Sequence, residues 1–340
     1  MKGTVTTTGP TDSDLPSDVP GLKWFARYES SSGPEAARSL LDERTSRLAR
    51  CIELARGEPV GKRIRKLRVA TRRADMAVRF VSPLCDKRAA KRARRALQSL
   101  RRAGGAVRRC DVFIARLRET ASAAPGQDIG EASIALIGRL GAERGVAQRA
   151  FVEAVASDNA ITALKAIDLR EDNGNETTSE MLAMTMLRDA GADFAQTSTA
   201  AALDFEGLHD FRLRVKRLRY AAESAAPVIG DVAAASLIAA AAPLQDELGT
   251  INDLAELAAE LSVFHADMAD LPGVGKLRSG LDRMLLAASS ERDRRAIAFG
   301  RHRKSRIAPV TEAVAGLKPR TALRLADDSS QNADTRSETA

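Results

Sequence analysis

Arginine and lysine recur at one-turn intervals over one stretch of this 340-residue sequence. Between Lys62 and Arg109 there are 18 Lys and Arg residues and only two acids, Asp75 and Asp86, a net charge of +16. The whole chain carries +8, so the remainder is net negative. Guanidinium groups present several planar N–H donors, and a row of them can hold an extended anion through paired hydrogen bonds. This charge segregation therefore predicts an anionic partner.

Helical periodicity separates these charges from an apolar face. At about 100° per residue, Arg65, Arg68, Arg72 and Arg79 share one side of a helix over residues 64–81. The opposite side carries Leu67, Ala70, Ala74, Ala77, Val78 and Val81. Amphipathic helices commonly have charged outer faces, but such faces usually mix both signs so that i,i+4 pairs offset repulsion. The near absence of acids here favours a binding surface over a solvated face.

The sequence offers little for catalysis or metal binding. Its three histidines, His209, His265 and His302, have no partners at metal-ligand spacing. It has no glycine-rich phosphate loop, and no paired carboxylates lie in the basic region to hold Mg²⁺ for phosphoryl transfer. We therefore predict a binding protein that is not an enzyme and needs no cofactor.

The composition favours an all-α fold. Hydrophobic residues make up 44% of the chain, mostly Ala and Leu, whereas aromatic residues make up only 4%. Helices are predicted over residues 34–56, 62–81, 86–103, 106–121 and 131–156, with Gly104 and Gly105 ending the third. Short connections between them indicate an antiparallel bundle. The predicted organisation is a flexible leader (1–33), a first helical half (34–170), a linker (171–178), a second helical half (179–318) and a disordered tail (319–340).

Cysteine usage and hydropathy indicate the compartment. The cysteines Cys51, Cys85 and Cys110 are odd in number and far apart, which does not match a disulfide framework and favours a reducing cytoplasm. The longest nearly apolar stretch, residues 232–244, is too short to span a bilayer. We therefore predict a soluble cytoplasmic protein without a membrane partner.

The basic helix recurs in the second half of the chain. Four later residues lie 144 positions after four earlier ones: His209, Arg212, Lys216 and Arg217 after Arg65, Arg68, Arg72 and Arg73. Gly249 follows Gly105 at the same offset. Two anchor points at one spacing indicate duplication of a helical bundle. In the second copy, Arg219 extends the basic stripe, and the predicted core face comprises Phe211, Val215, Leu218 and Ala222.

Four ordered motifs resemble those of the CHAD family, the conserved-histidine α-helical domains. The family motif His-x-x-Arg-Val-x-x-Arg-Arg corresponds to residues 65–73, and His-x-x-Arg-x-x-x-Lys-Arg-Leu-Arg-Tyr is present whole at 209–220. The family's Leu-Gly-x-x-Arg-Asp-x-Asp-Val corner corresponds to residues 104–112, and Gln-Asp-x-Leu-Gly-x-x-Asn-Asp is whole at 245–253. The resemblance covers roughly residues 35–318.

Two positions depart from the family pattern. Arg65 stands where the first motif has histidine, and Arg109 stands where the corner has its first aspartate. The change at Arg65 replaces a titratable imidazole with a permanent cation. We expect anion binding to be kept at that position, and any role that needs an imidazole to be lost.

The resemblance implies two four-helix-bundle-like halves related by a pseudo-twofold axis, with the basic helices lining a shared groove. It also implies inorganic polyphosphate as the ligand, and association with polyphosphate granules or polyphosphate metabolism. The expected principal contacts are Arg65, Arg68, Arg72, Arg73, His209, Arg212, Lys216, Arg217 and Arg219. Arg92, Arg95 and Arg108 are second-rank candidates, and Tyr220 either reaches a phosphate with its hydroxyl or packs.

Two other classes of partner stay open on the sequence. Proteins that grip single-stranded nucleic acid use aromatic stacking platforms, and only Phe80 and Tyr220 lie near the basic surface. Duplex DNA needs no aromatics for phosphate contact, so nucleic acid remains a weaker polyanion alternative. A helical adaptor that docks on an acidic protein is the third interpretation.

Overall fold

The structure, a computed structural model, describes residues 33–170, 178–199, 204–229 and 231–317. The predicted leader, linker and tail lie outside the described residues, apart from the border residues Gly33 and Thr178.

The described residues form nine α-helices. They are α1 (Gly33–Gly57), α2 (Gly61–Val81), α3 (Lys87–Ala123), α4 (Asp128–Ala156), α5 (Asn159–Lys165), α6 (Ser179–Ser198), α7 (Phe205–Ile229), α8 (Asp231–Asp267) and α9 (Gly275–Ala315). A 3₁₀ turn, Ser82–Leu84, joins α2 to α3. Extended pairing in the described chain is limited to an isolated bridge between Cys85 and Leu169. The all-α prediction is confirmed.

Local chemistry explains where several helices begin. The Asp86 side chain accepts a hydrogen bond of 2.9 Å from the Ala89 N–H at the start of α3. The Thr178 hydroxyl accepts one of 3.1 Å from the Met181 N–H at the start of α6. Each cap satisfies one of the N–H groups that a helix leaves unpaired in its first turn. Of the two basic helices, α7 has a cap of this kind, because the Asp204 side chain accepts a hydrogen bond of 2.8 Å from the Gly207 N–H. Helix α2 follows Val60, which makes no side-chain cap. Both helices are rich in helix-forming Ala, Leu and Arg.

The predicted helix end at Gly104 and Gly105 is wrong. Helix α3 continues through both glycines to Ala123, and α8 likewise continues through Gly249. A Cβ at Gly104 would lie only 3.3 Å from the Phe151 ring and 3.4 Å from the Arg68 side chain. The glycine therefore allows α2 and α4 to approach α3 closely, at an intrinsic cost of about 1 kcal/mol relative to alanine.

Helices pack in chain order within each half of the chain. In the first half α1 contacts α2, α2 contacts α3 and α3 contacts α4, and in the second half α6 to α9 follow the same order. Between the halves, α1 contacts α6, α2 contacts both α6 and α7, and α4 contacts α9. Apart from the contact between α2 and α6, these contacts join helices of the same rank. A pseudo-twofold axis would produce this pattern, and the internal duplication itself stays a prediction.

Two apolar clusters hold the helices together, and both draw on the two halves. The larger includes Phe151 from the first half and Phe211 from the second, each fully buried. The smaller joins the far ends of α3, α4, α8 and α9, with Leu136 and Leu261 among its members. The predicted core face of the second basic helix is buried: Phe211, Val215, Leu218 and Ala222. Shared cores fix α2 against α7, which brings the two basic helices together.

Candidate anion-binding groove

Four cationic side chains from the two halves meet where α2 and α7 are in contact. Arg68 and Arg72 come from α2, and Arg212 and Lys216 come from α7. Lys216 experiences the positive charges of the other three, and Arg212 experiences that of Arg72. We call these four residues the central cluster. The tertiary fold thus concentrates like charges that the sequence separates by about 140 positions.

Burial and mutual repulsion perturb the pKa values of this cluster. The pKa of Lys216 is lowered to about 7, first by burial and then by Arg212 and Arg72, while Asp253 opposes the shift. The pKa of Arg68 is lowered to about 10, again first by burial. Burial also lowers the pKa of Arg212. All three shifts indicate that burial and neighbouring cations destabilise the charged forms, and a bound anion would offset this cost.

Two guanidiniums of the central cluster have buried nitrogens without an acceptor. The Nε atoms of Arg68 and Arg212 have no hydrogen-bond partner in the described part of the chain. Both guanidiniums lie over a glycine. The Arg68 guanidinium carbon is 3.9 Å from the position that a Cβ would occupy at Gly105, and Arg212 Nε is 4.0 Å from the corresponding position at Gly249. A buried N–H without an acceptor is costly, and an anion with several oxygens would supply one. Both halves present the same arrangement.

The two walls beside the central cluster carry opposite charges. On the α3 side, Arg108 and Arg101 lower the pKa of Arg68 further. On the α8 side, Asp253 and Glu256 oppose the lowering of the Arg212 pKa. Asp253 lies 3.9 Å from the Arg212 guanidinium. Arg101 was not among the predicted contacts, although it lies seven residues before Arg108 and so falls on the same helix face.

His209 and Arg65, which match in the two halves, have different surroundings. The His209 ring nitrogen Nδ1 shares a hydrogen bond with the Asn252 side-chain oxygen, and the Asn252 amide donates one of 2.7 Å to Glu256. This chain of hydrogen bonds ties α7 to α8. Arg65 is exposed and lines a separate cavity between α1 and α2. Neither residue belongs to the central cluster.

Arg73 and Arg219 are engaged by a buried carboxylate. Glu223 pairs with Arg73 at 3.3 Å and with Arg219 at 3.8 Å. Burial raises the pKa of Glu223, and the charges of Arg73 and Arg219 oppose that rise. Arg219 also donates a hydrogen bond of 3.2 Å to the Gln245 side chain. These two predicted contacts therefore help to hold α7 against its neighbours.

A cleft of about 380 Å³ lies between α2 and α7 beside the central cluster. Arg217 lines it and forms an ion pair with Asp193 on α6. Tyr220 also lines it, and its hydroxyl accepts a long hydrogen bond of 3.5 Å from Arg72. Asp75 also lines this cleft, and its carboxylate compensates part of the positive charge of the cleft. Tyr220 is thus within reach of the cluster rather than purely packed.

Arg92 and Arg95 lie away from the groove. Both are exposed on α3, at about 160° and about 100° around the helix from Arg94. Arg94 faces α2, where it pairs with Asp75 at 3.1 Å. Of the three second-rank predictions, Arg108 alone is electrostatically coupled to the central cluster.

The described residues contain neither a candidate metal-binding group nor a candidate membrane-spanning helix. No three of their His, Cys, Asp or Glu side chains are grouped so that they could hold a metal ion. None of the helices seen here is both long and apolar enough to cross a membrane. The groove presents four partly buried cations, and among these the Nε atoms of Arg68 and Arg212 have no acceptor in the described residues.

Comparisons with known proteins agree with this architecture. Two solved structures share the fold: the CHAD domain from the plant Ricinus communis (TM-score 0.61, 18% identity, 86% of this chain and 95% of that one) and PptA from Streptomyces chartreusis (0.60, 19%, 80% and 99%). The search of curated protein sequences gives no match. The sequence model of the CHAD domain matches residues 39–262. Because that match spans well over half of the sequence, the chain belongs to the CHAD domain family.

Proposed function

We propose that this protein binds inorganic polyphosphate in the groove over the central cluster, and that it does so without catalysis. The observation that carries the proposal is the pair of buried Nε atoms of Arg68 and Arg212, which lack acceptors within a cluster of like charge. Membership of the CHAD family supports polyphosphate over other anions, since the family resemblance implies that ligand.

Polyphosphate has the chemistry that the groove requires. It carries roughly one negative charge per phosphoryl unit on a flexible chain, and each unit offers free oxygens to a guanidinium fork. Successive units would meet Arg68, Arg72 and Arg212 in turn, and would also compensate the charge of Lys216. Affinity would then come from several contacts and from released counterions, so it should fall steeply as salt is added.

Nucleic acid fits the groove less well. Single strands are held largely by stacking of bases on aromatic rings. Beside the central cluster the described residues offer one such ring, Tyr220, whose hydroxyl already contacts Arg72. Duplex DNA is stiffer than polyphosphate, so fewer of its phosphates can reach cations that lie in a cleft between two helices. We therefore place nucleic acid as the weaker polyanion.

The decisive experiment is a titration with long-chain polyphosphate at about 50 and about 200 mM salt, with duplex DNA as competitor at equal phosphate concentration. We expect tight binding that weakens with salt and that DNA does not displace. Easy displacement by DNA would make the groove a general polyanion site. Failure to bind either polyanion would favour an adaptor for an acidic protein.

Association with polyphosphate granules would follow from the same groove. A fluorescent fusion should co-sediment with isolated granules, and the double variant Arg68→Glu with Arg212→Glu should not. Co-sedimentation that survives in this variant would place granule attachment on another surface.

A further inference from the structure

A second cationic cavity lies between α1 and α2. Its volume is about 480 Å³, within the range of small-molecule sites. Six basic residues line it: Arg44, Arg47, Lys62, Arg65, Lys66 and Arg73. Three other residues complete the lining: Cys51, Val69 and Ala70. We call this cavity the α1–α2 pocket.

Positive charge exceeds negative charge at the mouth of the α1–α2 pocket. Two of its guanidiniums are paired, Arg47 with Glu43 at 2.8 Å and Arg73 with Glu223 at 3.3 Å. Three other cations form no ion pair with a carboxylate of the described residues: Lys62, Arg65 and Lys66. Lys62, Arg65 and Lys66 are all exposed, so they can turn toward an anion at the mouth.

The inside of the pocket differs from its mouth. Arg44 is only 3% exposed, and its pKa is lowered to about 10 by burial and then by Arg73. Val69, Ala70 and Cys51 give the wall an apolar surface. An inorganic phosphate chain gains nothing from such a wall, whereas an organic group would be stabilised by leaving water.

We propose that the α1–α2 pocket binds an organic phosphate of the nucleoside triphosphate class. The phosphates lie among the cations at the mouth, and the nucleoside lies against Val69, Ala70 and Cys51. This combination of a cationic mouth and an apolar wall separates the pocket from the groove, whose central cluster is formed by charged residues. The proposal does not depend on polyphosphate binding in the groove.

Cys51 provides a reporter for occupancy of the pocket. It is partly exposed and lines the pocket, whereas Cys85 and Cys110 are 4% and 1% exposed. Burial raises the pKa of the Cys51 thiol, and Lys66 and Arg47 oppose that rise. Labelling with an uncharged maleimide above about pH 8 should therefore modify Cys51 first. A Cys51→Ser variant identifies the labelled position by mass spectrometry.

The test compares ATP with tripolyphosphate, which carries the same phosphate chain without the nucleoside. We expect ATP to slow labelling of Cys51 at a concentration about tenfold lower than tripolyphosphate needs, because only ATP uses the apolar wall. Equal protection by the two probes would make the pocket an extension of the inorganic-phosphate surface. Absence of protection by ATP would overturn the proposal outright.

Charge reversal at the mouth gives the matched variants. Lys62→Glu with Lys66→Glu changes two exposed residues and should weaken ATP protection by at least about tenfold. Lys87→Glu with Lys91→Glu makes the same charge change at exposed positions of α3 and should leave ATP protection within about twofold. Equal loss in both pairs would contradict the pocket. A polyphosphate titration of the same variants reports the groove separately, so failure there is not mistaken for failure here.

Discussion

The two walls of the groove differ in charge although α3 and α8 have the same rank in their halves. At matching positions 144 residues apart, α3 carries Arg108 and Arg109 where α8 carries Asn252 and Asp253. The α3 wall adds positive charge to the central cluster, and the α8 wall subtracts from it. The charge that α3 adds to the cluster comes from Arg108 and Arg101, since Arg109 pairs with Glu260 on α8 at 3.1 Å. On the other wall, Asp253 and Glu256 compensate part of the charge of Arg212. Helices of the same rank in this fold can therefore differ in the sign of the charge that they present to the groove.

Each basic helix also contains an acid–arginine pair at i,i+4, and the order of acid and arginine is reversed between the two helices. On α2, Asp75 precedes Arg79 and pairs with it at 3.2 Å. On α7, Arg219 precedes Glu223 at the matching positions, 3.8 Å away. Glu223 also pairs with Arg73 from the other half. The acid of the second half therefore joins the two halves by an ion pair, whereas the ion pairs of Asp75 are with Arg79 and Arg94 of its own half.

The largest expected effect on binding comes from replacing the buried arginine that each half contributes to the central cluster. Arg68→Glu with Arg212→Glu should weaken polyphosphate binding by about 100-fold or more, because both buried donors are lost and repulsion replaces them. Helicity by circular dichroism should be unchanged. Arg92→Glu with Arg95→Glu is the control, since it makes the same charge change on the outer side of α3. Undiminished affinity in the first variant, or an equal loss in the control, would falsify the groove assignment.

The link between the halves should be visible in stability. Glu223→Gln should lower the free energy of unfolding by about 3 kcal/mol, because Glu223 is 6% exposed and the substitution removes the carboxylate that pairs with both Arg73 and Arg219. Asp75→Asn, whose side chain is 15% exposed, should cost less. Urea unfolding followed by circular dichroism measures both. A larger loss at Asp75 would reverse the proposed difference between the two acids.

Neutralising the acidic wall should make the second half resemble the first. Asp253→Asn with Glu256→Gln should tighten polyphosphate binding by up to about tenfold at low salt, and the gain should shrink as salt screens it. Glu119→Gln with Glu153→Gln removes two exposed acids elsewhere and should have little effect. If both pairs tighten binding equally, net charge rather than the wall governs affinity.

The smallest expected effect is a dependence on pH. Lys216 has its pKa lowered to about 7, whereas the other three members of the central cluster are arginines. Raising the pH from 6 to 8 should deprotonate Lys216 in the free protein and weaken polyphosphate binding by less than about tenfold. Lys216→Arg should flatten the profile. An unchanged slope in that variant would assign the titration to another group.

The lowered pKa of Lys216 also predicts that the stability of the fold rises with pH. The pKa of Lys216 is lower in the folded protein than in an unfolded chain, so the unfolded state binds more protons between about pH 7 and the ordinary lysine pKa. Stability should therefore rise with pH across that window, and Lys216→Met should remove this part of the slope. Unfolding free energies at several pH values measure it.

Sequence patterns predicted the local features of this protein well. The helical period placed Arg68 and Arg72 on one face of α2, and the offset of 144 residues located their counterparts in α7. Glycine misled the prediction at Gly104, because the residue that ends a helix is also the residue that permits close packing within one. Arg101 was not predicted because the residues of α3 were considered only as second-rank contacts.

What the sequence determined by itself was the fold class, the two basic helices and the family, all of which depend on periodicity and order along the chain. Only the tertiary structure decided which cations meet. Arg68 and Arg212 both act on Lys216, Arg65 lines the α1–α2 pocket, and Arg73 pairs with Glu223. Local pattern fixes the face of a helix on which a charge lies, whereas its partners depend on which distant helix packs against that face.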